Sequence, residues 1–119
     1  RNAPAVRWGH QLVTPTFDVA RAAVADSNDD IYLVVKKRSE KELNSTFKGV
    51  FLLKYNQKGD QLWSKQLDPG LEDATGLAAD DQGNIYVFGF VSSTPERETK
   101  GKNDVVIAKY DQAGTKQQT

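Results

Sequence analysis

Three sets of residues have the types and spacing for chemistry. The first is Asp26-x-Asn28-x-Asp30, whose alternating side-chain oxygens resemble the opening of a calcium loop. Such a loop needs glycine at its sixth position and glutamate at its twelfth, and here Ile31 and Lys37 stand there. The related stretch Asp80-x-Gln82-x-Asn84 is less acidic. That trend favours a turn in which Asp and Asn side chains bond the local backbone over a metal site made by Asp26, Asn28 and Asp30. The second is His10, the sole histidine. A hydrolytic triad needs a nucleophile and a carboxylate around it, and no Gly-x-Ser-x-Gly elbow is present. The expectation is an exposed structural histidine. The third is the carboxylate set Glu40, Glu42, Glu72, Asp73, Glu96 and Glu98, since paired carboxylates run glycoside hydrolysis. These fall in predicted loops interleaved with Arg38, Lys41, Arg97 and Lys100, the mixed-sign pattern of solvated surface. No pair stands out, so no catalytic residue and no cofactor is expected.

Binding chemistry has more candidates. Trp8 and Trp63 occupy matching positions 55 residues apart, as Tyr32 and Tyr86 do at 54. Amphipathic rings suit sugar faces, while repetition by itself says packing between like units. Trp8 and Trp63 are therefore candidate ligand contacts set against a structural role. Arg38, Glu40, Glu96 and Arg97 are the further ligand-binding candidates, because they lie in two long polar segments, Lys36 to Lys48 and Ser92 to Asn103, that differ between the units.

The elements that must position these residues come from a repeat. Trp8-Gly-His-Gln-Leu12 lies over Trp63-Ser-Lys-Gln-Leu67, and Ala25-Asp26 with Ile31-Tyr32 over Ala79-Asp80 with Ile85-Tyr86. Lys54-Tyr55-x-Gln57-x-Gly59 recurs as Lys109-Tyr110-x-Gln112-x-Gly114. Eleven identities fall in three ordered blocks at offsets of 54 or 55. Each unit reads as strands. Ile31–Val35, Val50–Tyr55, Ile85–Val91 and Val105–Tyr110 are β-branched and aromatic runs bounded by Asn, Asp and Gly turns. Gln61–Leu67 alternates like a half-exposed strand, and the alanine-rich Val19–Ala25 and Ala74–Ala79 suit short strands at a crowded axis.

Composition sets the bounds. The 119 residues are 38% hydrophobic and 27% charged, with sixteen cationic against sixteen acidic side chains. A net charge of zero argues against nucleic acid or an anionic membrane as main partner. No apolar run approaches the roughly 20 residues of a membrane helix, so membrane insertion is not expected. Absence of cysteine excludes disulfides and thiolate chemistry. The first residue is arginine and methionine is absent, which suggests a processed chain or a piece of a longer one.

These blocks resemble the bacterial SBBP repeat, the seven-bladed β-propeller repeat. The family's unit has an Asp-led first strand, here at Asp73, then a turn and second strand matched by Asp80-Asp-Gln-Gly-Asn84-Ile-Tyr-Val87. Its third strand is matched by Ile107-Ala-Lys-Tyr110 and its Gly-x-x-x-Trp fourth by Gly59-Asp-Gln-Leu-Trp63. The likeness runs from about Trp8 to Gly114. It departs at Asp29-Asp30, where Gly-Asn is usual, and at Gln118, where the outer tryptophan would fall.

The resemblance implies an all-β fold of antiparallel four-stranded propeller blades. Residues 1–12 would be the outer strand of a preceding or neighbouring blade, 13–67 the first blade and 68–119 the second. Two blades alone leave apolar faces wet, so they would belong to a larger propeller or close a ring by homo-oligomerisation. The expected function is a non-enzymatic scaffold or protein-binding module of a secreted, periplasmic or cell-surface protein, its partner a protein or the remaining blades. A sugar-binding protein that completes its propeller by oligomerisation is the alternative, with carbohydrate as ligand. A fragment of a quinoprotein-like enzyme comes third. The scaffold strands match between units while the long segments diverge, which favours protein binding over a repeated sugar site.

Overall fold

The computed structural model describes residues 9, 17–38, 47–92 and 103–117. Seven strands are present among them and no helix: β1 (Phe17–Ala25), β2 (Ile31–Arg38), β3 (Phe47–Tyr55), β4 (Gln61–Gln66), β5 (Leu71–Ala79), β6 (Ile85–Ser92) and β7 (Asn103–Tyr110). They form two antiparallel sheets, β1-β2-β3-β4 and β5-β6-β7, each in sequence order. A single bridge from Tyr110 to Lys116 begins to add a fourth row to the second sheet. The all-β reading and its strand positions hold. Two corrections concern Glu72 and Asp73, expected in a loop, which lie on β5, and the expected loop Lys36 to Lys48, whose first three residues to Arg38 continue β2 and whose last two begin β3.

The sequence repeat is also a repeat of register. Ile31 pairs with Tyr55 as Ile85 pairs with Tyr110, and Val34 with Leu52 as Phe88 with Ile107. Both first strands carry a bulge at the same place, between Ala20 and Ala22 and between Ala74 and Gly76. A bulge leaves one residue unpaired and re-aims side chains, here at Arg21 and Thr75. Gly89 answers the bulging of β5, because a Cβ there would collide with the carbonyl oxygen of Asp73.

One turn is used four times, at 26–30, 56–60, 80–84 and 111–115. In each, the first residue's N–H donates to the fifth residue's carbonyl, and the fourth residue's N–H donates back to the first residue's carbonyl. This is a three-residue hairpin loop whose last position is left-handed. Gly59, Gly83 and Gly114 hold that position at φ of 91°, 85° and 85°, and Asp29 holds it at 64°. The first residue is always Asp or Asn, and one of its side-chain oxygens accepts the N–H groups two and four residues on. Local sequence thus closes these hairpins without help from the core.

The two sheets stack through different faces. Tyr32, Val34, Val50 and Leu52 from one side of the first sheet share a core with Leu71, Ala74, Ile85, Val87, Val91 and Tyr110 of the second. Burying an aliphatic side chain of this kind contributes about 1.5–3 kcal/mol, so this joint is the main source of cohesion between the sheets. The opposite side of the first sheet holds a smaller cluster, Val35, Leu53 and Tyr55, with Ile31, Leu33 and Phe51 packed on it. The sheets come closest where β5 passes β1, with lesser approaches of β5 to β2 and β3.

Candidate functional site

Antiparallel order sends the four tight turns to one end of the stack and the longer connections to the other. The described strand ends at Arg38, Phe47, Ser92 and Asn103 and the connection 67–70 therefore lie at that other end. That end is the candidate site, and its described floor is a charged cluster at the joint. Asp73, buried on β5, takes two hydrogen bonds from the Arg21 guanidinium, Nε to Oδ1 at 3.1 Å and Nη2 to Oδ2 at 2.9 Å. Lys36 Nζ lies 3.8 Å from the same carboxylate, and the N–H of Ala74 donates to Oδ1 at 2.9 Å. On the opposite face of the first sheet, that of Phe51, Lys37 Nζ stands 3.6 Å from Asp18 and 5.0 Å from the centre of the Phe51 ring. The cluster ties first strand to first strand and leaves Arg21 partly open to solvent.

Of the ligand-binding candidates, Arg38 is exposed at the end of β2, where the chain enters the 39–46 connection. Glu40, Glu96, Arg97 and Trp8 lie outside the described residues, as does His10. Trp63 is half-buried and lies away from the charged cluster. Its indole N–H donates to the carbonyl of Gln112 at 3.3 Å, and its six-membered ring rests on Gly114. Its ring also meets Tyr32 edge-on, with centroids 6.1 Å apart. Lys54 donates to the same Gln112 carbonyl at 3.0 Å, lies 3.6 Å from Asp30 and sits over the Tyr32 ring. Trp63 thus anchors the 111–115 turn to the first sheet, so a side chain in this position does packing work between repeats.

The structure brings Asp26, Asn28 and Asp30 together as a turn. Asp26 Oδ1 accepts the N–H groups of Asn28 and Asp30, and Oδ2 accepts the Tyr32 hydroxyl at 3.1 Å. Both carboxylate oxygens thus face donors. No group of three or more acidic, histidine or cysteine side chains suited to a metal ion occurs among the described residues. Burial, and then the neighbouring Asp26 carboxylate, push the Tyr32 phenol well above its ordinary pKa. In the second unit Asp80 receives the Asn84 side-chain and backbone N–H groups, the Gln82 N–H and the Tyr86 hydroxyl. Those bonds, Asn84's foremost, hold its pKa down at about 2. Tyr32 and Tyr86 therefore cap the turns through their hydroxyls while their rings pack, a role the repeated spacing alone did not disclose.

Sequence reasoning missed the Arg21–Asp73–Lys36 cluster. Its one signal was a lone arginine inside the alanine-rich β1. A scan against models of known protein families matched none, and a search of curated proteins found no significant match.

Proposed function

We propose that the chain is a pair of β-propeller blades of the SBBP kind and acts without catalysis, as a scaffold whose connection end binds a protein partner. Its setting would be a secreted, periplasmic or cell-surface protein. The observation that carries the reading is the contrast between the two ends. The tight-turn end repeats bond for bond, and the sheets stack in the same sense with their first strands closest. The long connecting segments differ between units in sequence and charge, with Arg38 and Glu40 in one and Glu96 and Arg97 in the other. A conserved frame beneath divergent loops is how binding surfaces are built on rigid scaffolds.

A photo-crosslinking amino acid placed at Arg38, at one end, and at Ala113, at the other, tests this. The protein would be exported in a bacterial host and the envelope fraction analysed. A discrete protein adduct from position 38 and none from 113 is the expected result. Equal adducts from both ends, or none from position 38, would overturn the proposed binding end. A glycan array probed with the same protein addresses the sugar-binding alternative.

A further inference from the structure

Among the described residues β7 is the outer edge of the second sheet, apart from the bridge of Tyr110 to Lys116. Its counterpart β3 is covered at that edge by β4, which sets Trp63 against Lys54 and Lys65 against Leu52. The Leu67 N–H then donates to the Val50 carbonyl, as the Gln117 N–H donates to that of Lys109. Backbone groups alternate in direction along a strand, so those of residues 105, 107 and 109 turn outward, as those of 50, 52 and 54 do. Val105 and Ile107 are 81% and 57% exposed, against 1% and 0% for Val50 and Leu52. Edge and side chains are both open there.

The sequence holds a second version of the strand that covers β3. Trp8-Gly-His-Gln-Leu12 repeats Trp63-Ser-Lys-Gln-Leu67 with three of five residues identical. Gly9, the described residue of this segment, is exposed, with open space where a Cβ would stand. The places fit end to end. The bridge of Tyr110 to Lys116 repeats the pairing of Tyr55 with Gln61, so Lys116 and Gln117 stand for Gln61 and Leu62. Residues 8–12 stand for 63–67, the places that follow. The aromatic partners agree. In the first sheet Lys54 lies over the Tyr32 ring and Trp63 meets that ring edge-on. In the second, Lys109 lies over the Tyr86 ring, and Gln118 falls where the tryptophan would be. Trp8 is the ring that set lacks.

We propose that residues 8–12 of a second copy of this chain add to the β7 edge as the fourth strand of its second sheet, with Trp8 beside Lys109, His10 beside Ile107 and Leu12 beside Val105. Chain order requires the second copy. β4 leads through residues 67–70 into the first strand of the sheet after its own, and residues 13–16 lead from Leu12 into β1 in the same way. The segment therefore belongs to a sheet before the first, whereas β7 ends the second. Main-chain hydrogen bonds hold such an added strand, and its alternate side chains select it. Each copy gives one strand and takes one, a head-to-tail exchange that propagates or closes into a ring. The pairing rests on the four-stranded repeat and not on the partner proposed for the connection end.

The absence of cysteine permits a direct test. Phe51 opposes Gln66 in the first sheet, so Gln11 would oppose Val106, in the closer, non-hydrogen-bonded kind of pair that a disulfide can span. A chain carrying Gln11→Cys is mixed with one carrying Val106→Cys under mild oxidation. The expected product is the mixed dimer, in excess over both like pairs. Light scattering behind a sizing column, run on the unaltered chain over a dilution series, should give a mass of two or more chains. Ile107→Pro withdraws an outward N–H and spares the bonds to β6, so it should weaken association at least about tenfold with strand circular dichroism retained. Trp8→Ala, outside both sheets, should do the same, and it decides the matter together with the crosslink if Ile107→Pro fails to fold. An unaltered chain that runs as a monomer, like pairs as abundant as the mixed dimer, or an assembly indifferent to Trp8→Ala would overturn the pairing.

Discussion

The guanidinium of Arg21 and the carboxylate of Asp73 meet through two hydrogen bonds across the narrowest part of the joint between the sheets, fifty-two residues apart in the chain. Arg21 is the residue set out of register by the bulge in β1, and this bulge turns it toward β5. The pair is asymmetric, since Asp73 is buried and Arg21 partly exposed. Removing the arginine leaves the buried carboxylate with the Ala74 N–H and the more distant Lys36 alone, whereas removing the aspartate leaves a cation that water can reach.

Arg21→Ala should therefore destabilise the protein by about 1–3 kcal/mol in urea denaturation. Arg21→Lys should recover only part of this, because an ammonium cannot reproduce the paired geometry. Equal stability of the alanine and lysine variants would show that the two-bond geometry contributes nothing.

Asp29 is the only residue other than glycine with positive φ among the described residues, in a turn whose three counterparts use glycine. A side chain in that left-handed region costs roughly 1 kcal/mol, less for Asp than for most residues. Asp29→Gly should raise stability by about 0.5–1 kcal/mol at neutral pH. A lower melting temperature for this variant would mean that the Asp29 side chain contributes more than its backbone strain costs.

Gly114 is held both by its φ of 85° and by the Trp63 ring, which a Cβ would approach at 3.1 Å. Gly114→Ala should loosen the 111–115 turn and cost about 1–2 kcal/mol, through the left-handed backbone penalty together with displacement of the ring. Trp63→Phe drops the N–H bond to Gln112 and withdraws the outer ring that rests on Gly114, so it should cost about 1–3 kcal/mol. Chemical denaturation of both variants, with Trp63 emission followed in the Gly114→Ala protein carrying Trp8→Phe, measures each effect.

The two capped turns set opposite pH limits. Asp80 is depressed from 3.8 to about 2, so its contribution is full above about pH 4 and is lost as pH falls toward 2. Tyr32 is raised, so its contribution is full below pH 10. Above that the unfolded chain sheds a proton the folded chain keeps, and stability falls as pH climbs. Asp80→Asn should flatten the acid limb of a stability–pH profile, and Tyr32→Phe the alkaline limb. An alkaline limb unchanged in Tyr32→Phe would assign it to another group, with the buried Tyr110 and Tyr55 next in line.

The repeat, the strands and the hairpins were legible in the sequence because their causes are local. A β-branched run extends, and an Asp or Asn followed three residues later by glycine, or once by Asp29, closes a turn using atoms within five residues. Asp26, Asn56, Asp80 and Asp111 needed nothing distant to do this. Only the tertiary structure decided what the turns are for. Stacking alone put Trp63 against Gly114 and gave Lys54 a carbonyl from the other repeat. It also drew Asp73 out of the expected loop and matched it with an arginine that no local pattern singled out. Which of two similar apolar faces is covered depends on the direction of stacking. Val50 and Val105 are both valines at matching places, and only the presence of a neighbour makes one core and the other surface.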